Sequence, residues 1–282
     1  MLNRARELNP LNTDHSANLA RMYRRWADLY AGDLAARQAR LETSSQQYQI
    51  ATTLSPNNAV LWNEWATVQT ALSDTVRQSG DTARADQLFQ DAQLKLDRSF
   101  QIDQEFEQTY LIKAQLARSQ GQVDEARSIY QQALERNPAS GDAWTGLADL
   151  LVAQGNYTDV ETITLNFLQT NPNYLPALRT LARNVYFPQS RLAEAIATQR
   201  QVVQVGAADP NIWDDHRVLA ILLAQTGQLS EALQAAQAAL STAPQDRQAE
   251  VQSLIDQIQA QLGISTPTSG TLPFSAPPAA AP

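Results

Sequence analysis

Proline recurs in this chain at a fixed interval. Pro138 and Pro172 are 34 residues apart, as are Pro210 and Pro244, and Gly121 and Gly155 keep the same distance. Proline has no N–H to continue a helix, and glycine enters the left-handed turn that ends one, so each interval reads as helix, turn, helix, stop. Three stretches carry the pattern: 107–138 (EQTYLIKAQLARSQGQVDEARSIYQQALERNP), 141–172 (GDAWTGLADLLVAQGNYTDVETITLNFLQTNP) and 213–244 (WDDHRVLAILLAQTGQLSEALQAAQAALSTAP). A unit this small cannot bury its own apolar face and must stack on a neighbour of the same kind. Ala, Gln, Leu and Arg dominate and glycine totals only 10, which favours helix throughout.

These blocks resemble the tetratricopeptide repeat, in which a large apolar residue, a small residue, a turn glycine, further small residues and a closing proline recur. The first block fills those places with Tyr110, Ala114, Gly121, Ala126, Tyr130, Ala133 and Pro138. The second has Trp144, Ala148, Gly155 and Pro172, with Val160 and Phe167 where small residues are usual. The third has Leu219, Ala220, Gly227, Ala232, Ala239 and Pro244, with His216 standing where an aromatic is expected. Small residues let two helices approach closely while large ones fill the neighbouring groove. The resemblance implies an all-α fold: a right-handed superhelical α-solenoid of antiparallel helix pairs.

The rest of the chain fits with insertions. Residues 175–210 read as a degenerate unit stretched by four residues, with Pro188 in its turn. Toward the amino end the units lengthen, and helices are predicted near 14–31, 34–54, 58–79 and 82–103, broken at Gly32, Pro56 and Gly80. Apolar residues still recur there at helical spacing, as in Leu61, Trp65, Val68 and Leu72. The expected organisation is thus the tail end of a truncated repeat over 1–12, two elongated pairs over 13–104, and four repeats over 105–244. A capping helix over 245–263 and a disordered Pro/Ala/Ser-rich tail over 264–282 complete it. Because the chain opens in mid-repeat, the natural protein is expected to continue upstream.

The net charge of −8 is unevenly spread. Residues 1–40 carry seven arginines against four acids, leaving −11 for the remainder. Nucleic acid is therefore not an expected partner, since phosphate binding needs a basic stripe. The longest apolar run, Val218 to Ala224, is far short of the roughly 20 residues that span a bilayer. No signal peptide is visible, so the chain reads as soluble as written.

No catalytic constellation, cofactor motif or metal site is expected. With no cysteine, thiolate chemistry is excluded. His15 and His216 are 201 residues apart with no second ligand nearby, and read as surface or repeat-face residues. Gly141 and Gly146 have the gap of a phosphate loop, but Leu147 follows where lysine is needed. Asp214–Asp215 at a helix start reads as a favourable interaction with the helix dipole. Asn156–Tyr157–Thr158 matches a glycosylation sequon in a turn, a match that arises easily by chance. Among the five tryptophans, Trp62 and Trp144 occupy places where the repeat wants a core aromatic.

The resemblance implies instead a protein-interaction scaffold whose first helices line a groove for a protein or peptide partner. Carried over place by place, the candidate groove residues are Arg21, Arg24, Arg25, Asn63, Asp149, Arg179, Arg183 and Arg217. The two-repeat Lys/Asn/Arg clamp of chaperone-binding members is absent. Arg21, Arg24 and Arg25 share a helical face, and Arg179 and Arg183 are one turn apart. Arginine forks suit carboxylate or phosphate. Replacing Arg179 and Arg183 by Glu is therefore expected to weaken partner binding without lowering the melting temperature.

Leu8–Ala27 (LNPLNTDHSANLARMYRRWA) is in addition similar to a segment of bacterial membrane proteins of the O-antigen ligase/polymerase type, some of which bear such repeats. That resemblance implies an alternative: a soluble region tethered to a membrane glycan-assembly protein whose catalytic part lies upstream.

Overall fold

The computed structural model describes residues 9–263, all of whose regular structure is helical. The tail over 264–282 and most of the truncated repeat expected over 1–12 lie outside the described residues. The chain divides into two compact units, one ending at Asn137 and the other beginning at Pro138.

The first unit holds three helix pairs. These are α1 (Thr13–Asp28) with α2 (Leu34–Leu54), α3 (Ala59–Gln78) with α4 (Thr82–Ile102), and α5 (Glu107–Ser119) with α6 (Val123–Arg136). Each of the first four is opened by a short polar side chain. Asn12, Asp33, Asn58 and Asp81 accept from backbone N–H groups of Asp14, Ala36, Leu61 and Arg84, satisfying donors the helix cannot. α1 stops three residues short of the predicted 31. The N–H groups of Leu29 and Tyr30 turn back to Trp26 and Ala27, and Asp33 then caps α2.

The second unit holds α7 (Gly141–Ala153) with α8 (Tyr157–Thr170), α9 (Leu175–Thr180) with α10 (Leu192–Val205), and α11 (Ile212–Gln225) with α12 (Leu229–Thr242), followed by α13 (Gln248–Gln261). α13 packs on α12 with Val251, Leu254, Ile255 and Ile258 buried.

One turn geometry recurs in both units. At Gly80, Gly121, Gly155 and Gly227 the backbone is left-handed, with φ of 98°, 73°, 69° and 75°. Each of these glycines bonds the carbonyl three residues back, and the following residue bonds the carbonyl five residues back: Gly121 to Arg118, then Gln122 to Ala117. The fifth instance has no glycine. Ser190, at φ 58°, makes the same pair of bonds, Ser190 to Phe187 and Arg191 to Tyr186.

Close helix crossings are built on alanine. Ala20, Ala51, Ala85, Ala114 and Ala126 in the first unit, and Ala177, Ala220, Ala232 and Ala239 in the second, are fully buried. Larger side chains fill the space between, Leu41, Tyr48, Leu61, Val68 and Leu72 forming one continuous cluster in the first unit. Where the repeat has Phe167 in place of a small residue, the neighbourhood is rebuilt around aromatics. Trp144 stacks on Phe167 at 5.4 Å, and Tyr174 meets both rings edge-on at 5.7 and 5.2 Å. Trp62, read from the sequence as core, is only half-buried; its indole donates to the Pro56 carbonyl at 2.9 Å.

Candidate functional site

In the second unit the first helices of three consecutive pairs enclose a groove of about 480 Å³. α7 contributes Trp144, Thr145 and Asp149; α9 and its extension contribute Arg179, Arg183 and Asn184; the start of α11 contributes Asn211, Trp213 and Asp214.

Local sequence sets this wall. α9 does not end at Thr180 but widens into a π-helical turn, Leu181–Tyr186, all of it buried. From the cap Ser140 to the left-handed Gly155 there are 15 steps, and from Tyr174 to Ser190 there are 16. The widened turn absorbs one of the four surplus residues of this unit, and the other three fall after Ser190. Such widened turns are frequent at functional sites.

The turn directs Arg183 into an ionic network. Asp215, wholly buried in the first turn of α11, accepts from Arg179 Nε at 3.1 Å and Nη2 at 2.5 Å, from Arg183 Nη2, and from Gln199 Nε2 at 3.3 Å. Gln199 Nε2 also reaches the Asp215 carbonyl at 2.9 Å. Arg179 bridges to Asp209 at 2.7 Å, Arg183 to Asp214 at 2.7 Å, and Arg217 to the other oxygen of Asp214 at 2.7 Å. Three guanidinium groups thus face three carboxylates. Burial pushes the Asp214 carboxyl up, but the charges of Arg183 and Arg217 outweigh it and hold it below the usual range. Asp209 is lowered by the Asn211 N–H and by Arg179. The neighbouring His216 is lowered because burial disfavours its charged form, a tendency Asp215 only partly offsets.

Several sequence expectations change here. Asp214 and Asp215 do lie in the first turn of α11, but their carboxylates also accept from Arg179 and Arg183 of the preceding pair. Arg179 and Arg183 are not free cations on an open face, since both are engaged with acids and Arg183 is only 6% exposed. Substituting Glu for both would set them against Asp209, Asp214 and Asp215 and lower the melting temperature, contrary to the expectation of unchanged stability. Arg217 is 11% exposed and pairs with Asp214 and, at 3.5 Å, with Glu250.

Of the first-unit candidates, Arg21, Arg24 and Asn63 are likewise partnered. Arg21 grips Glu64 of α3 through Nε and Nη2, both at 2.9 Å, and Arg24 pairs with Asp28. Asn63 is 2% exposed and bonds Thr109 Oγ1 at 3.0 Å, beside Ser99; it belongs to a buried polar cluster, not to an open face. Arg25 is exposed. Asp149 lines the groove. Asn156 of the sequon caps α8, accepting from the Asp159 N–H and donating to its carboxylate at 2.7 Å.

The pairing of Arg179 and Arg183 with these carboxylates escaped the sequence reading because Asp209, Asp214 and Asp215 lie about one repeat further along the chain. The signal was nevertheless present as opposite charges at repeat-sized separations: Arg21 and Glu64, Arg136 and Glu105, Arg191 and Glu161, Arg200 and Glu231 obey it too. Among the described residues no group of three potential metal ligands occurs, and no helix is long and apolar enough to cross a membrane.

Each unit is therefore a stretch of α-solenoid, built from antiparallel helix pairs stacked in chain order. Residues 117–185, about a quarter of the chain, match the tetratricopeptide repeat family. No curated protein matches the sequence. Among solved structures, the chain is similar to YrrB, described as a tetratricopeptide repeat protein with an unusual peptide-binding site (14% identity, 73% of this chain and 97% of that one, TM-score 0.49). It is also similar to a tetratricopeptide repeat protein from Parabacteroides merdae (18% identity, 92% and 90%, TM-score 0.49). A third is TTC0263 from Thermus thermophilus (19% identity, 67% and 98%, TM-score 0.43). None of these comparisons carries the resemblance of Leu8–Ala27 to O-antigen ligases.

Proposed function

We propose that this protein is an interaction scaffold that holds a segment of a partner protein in the groove of its second unit. The observation that carries the proposal is the lining itself. Three successive first helices line one concavity of about 480 Å³, in which half-buried Trp213 offers aromatic surface beside the polar groups of Thr145, Asp149 and Asn211, above a base formed by the buried Trp144. Apolar walls with a few placed polar groups are the usual make-up of a ligand site, and the volume falls in the usual range. The matched repeat segment includes α7 and α9, two of the three helices that form it. Because the arginines are already neutralised by aspartates, selection rests on shape and hydrogen bonding instead of on a cationic clamp. Binding, not catalysis, is the role this lining supports.

The test is a random-peptide selection on the full chain, followed by affinities for Thr145→Trp, which fills the groove from a half-exposed position. As a control, Gln132→Trp places the same bulk on an exposed position of α6 in the other unit. The proposal expects at least a tenfold loss of affinity for Thr145→Trp alone, at unchanged melting temperature. Equal binding by the two variants would refute it.

A further inference from the structure

The other end of the described chain carries an apolar face without a partner. On α1, Met22 and Trp26 are 38% and 40% exposed, and Leu29, just past the helix end, is 80% exposed. Their spacing of four and three residues places them on one stripe about 10 Å long, roughly two helical turns. Tyr23 stacks on Trp26 at 5.9 Å, and the Arg40 guanidinium lies over the rings of Trp26 and Tyr30 at 4.7 and 3.9 Å. Lone exposed apolar residues need no explanation, but a stripe at helical spacing on the outermost described helix of a stack is the surface another helix would cover.

The charges beside the stripe say what kind of helix. Arg25 is exposed, sits one turn from both Met22 and Leu29, and forms no ion pair with the described residues. Arg37, one turn before Arg40 on α2, likewise has no carboxylate partner, and its Nε is buried without an acceptor. The nearby acids are committed: Asp28 to Arg24, Asp33 to the cap of α2, and Glu42 to Arg84. The patch is thus apolar along its middle and cationic along its edge.

We infer that this face is a docking site for an acidic amphipathic helix of a partner protein, apolar residues at i, i+4 and i+7 seating on Met22, Trp26 and Leu29 and carboxylates meeting Arg25 and Arg37. Charge decides among the occupants. A second copy docked by a twofold axis would bring the same arginines against each other. An anionic membrane is an extended surface and would also face the −11 carried by residues 41–282, whereas a single helix covers only the patch. An acidic helix satisfies both halves of the surface.

The test uses the full chain and two fluorescein-labelled synthetic helices, identical except that the residues flanking a Leu stripe at i, i+4 and i+7 are Glu in one and Lys in the other. Binding is read by anisotropy. The Glu peptide is expected to bind at least tenfold more tightly than the Lys peptide. Leu29→Glu and Arg25→Glu, both at exposed positions, are each expected to weaken it about tenfold while leaving the circular dichroism unchanged. Equal binding of the two peptides, binding of neither, or binding indifferent to both substitutions would overturn the inference. So would a Leu29-dependent dimer in sedimentation, which would make a second copy the occupant. Leu29-dependent cosedimentation with anionic vesicles would make it a lipid surface, and a tenfold gain on deleting residues 1–8 would make it the chain's own amino end.

Discussion

Arg183 and Asp215, 32 residues apart in the chain, meet side chain to side chain in the second unit, the first 6% exposed and the second fully enclosed. Neither can be solvated by water, so each depends on the other. Removing one partner of such a pair leaves an uncompensated buried charge and costs about 3–5 kcal/mol. Asp215→Ala removes the carboxylate shared by Arg179 and Arg183, which keep Asp209 and Asp214, and is expected at the lower end of that range. Urea unfolding of the full chain, followed by tryptophan fluorescence, measures it. An Arg179→Met, Arg183→Met, Asp215→Leu replacement of the three together should cost much less than Asp215→Ala.

Ser190 occupies a left-handed place where the equivalent turns use glycine. A side chain there costs about 1–2 kcal/mol, against about 0.5–1 kcal/mol of added chain entropy when glycine replaces it. Ser190→Gly is therefore expected to stabilise the protein by roughly 0.5–1 kcal/mol. Gly155→Ala, with φ of 69° at the matching turn, is expected to destabilise it by a similar or larger amount. The two variants together, compared by thermal unfolding, check whether the turns are equivalent.

Stability should fall in two steps as the solution is acidified. His216 has a folded pKa below its ordinary value because burial disfavours the imidazolium. The unfolded state therefore binds the proton more readily, and stability present above about pH 6.5 declines as pH drops through that region. His216→Gln should remove this first step. Asp209 and Asp214, also lowered, contribute stability above about pH 4 that is lost as pH falls toward their folded values. Unfolding free energy measured between pH 3 and 8 for the two proteins separates the steps.

What was legible in the sequence follows from what is local. Gly121, Gly155 and Gly227 announce their turns because a left-handed residue needs no distant partner, and the breaks at Gly32 and Gly80 place the starts of α2 and α4 for a similarly local reason. The second pair of the second unit shows the limit. Its π-helical turn, Leu181–Tyr186, carries Arg183 to Asp214 and Asp215, partners that no window of neighbouring residues contains. Asn63 was misplaced for a related reason. Helical periodicity puts it on the right helix, but its burial is decided by Thr109, 46 residues later.

The central claim is that a partner segment lies against α7, α9 and α11. Photo-crosslinking tests it most directly, with benzoylphenylalanine replacing Thr145 in one protein and Gln132 in another, both expressed in the source cells. The account predicts a discrete cross-linked product from position 145 and none from position 132. A product from position 132 with none from position 145 would contradict it.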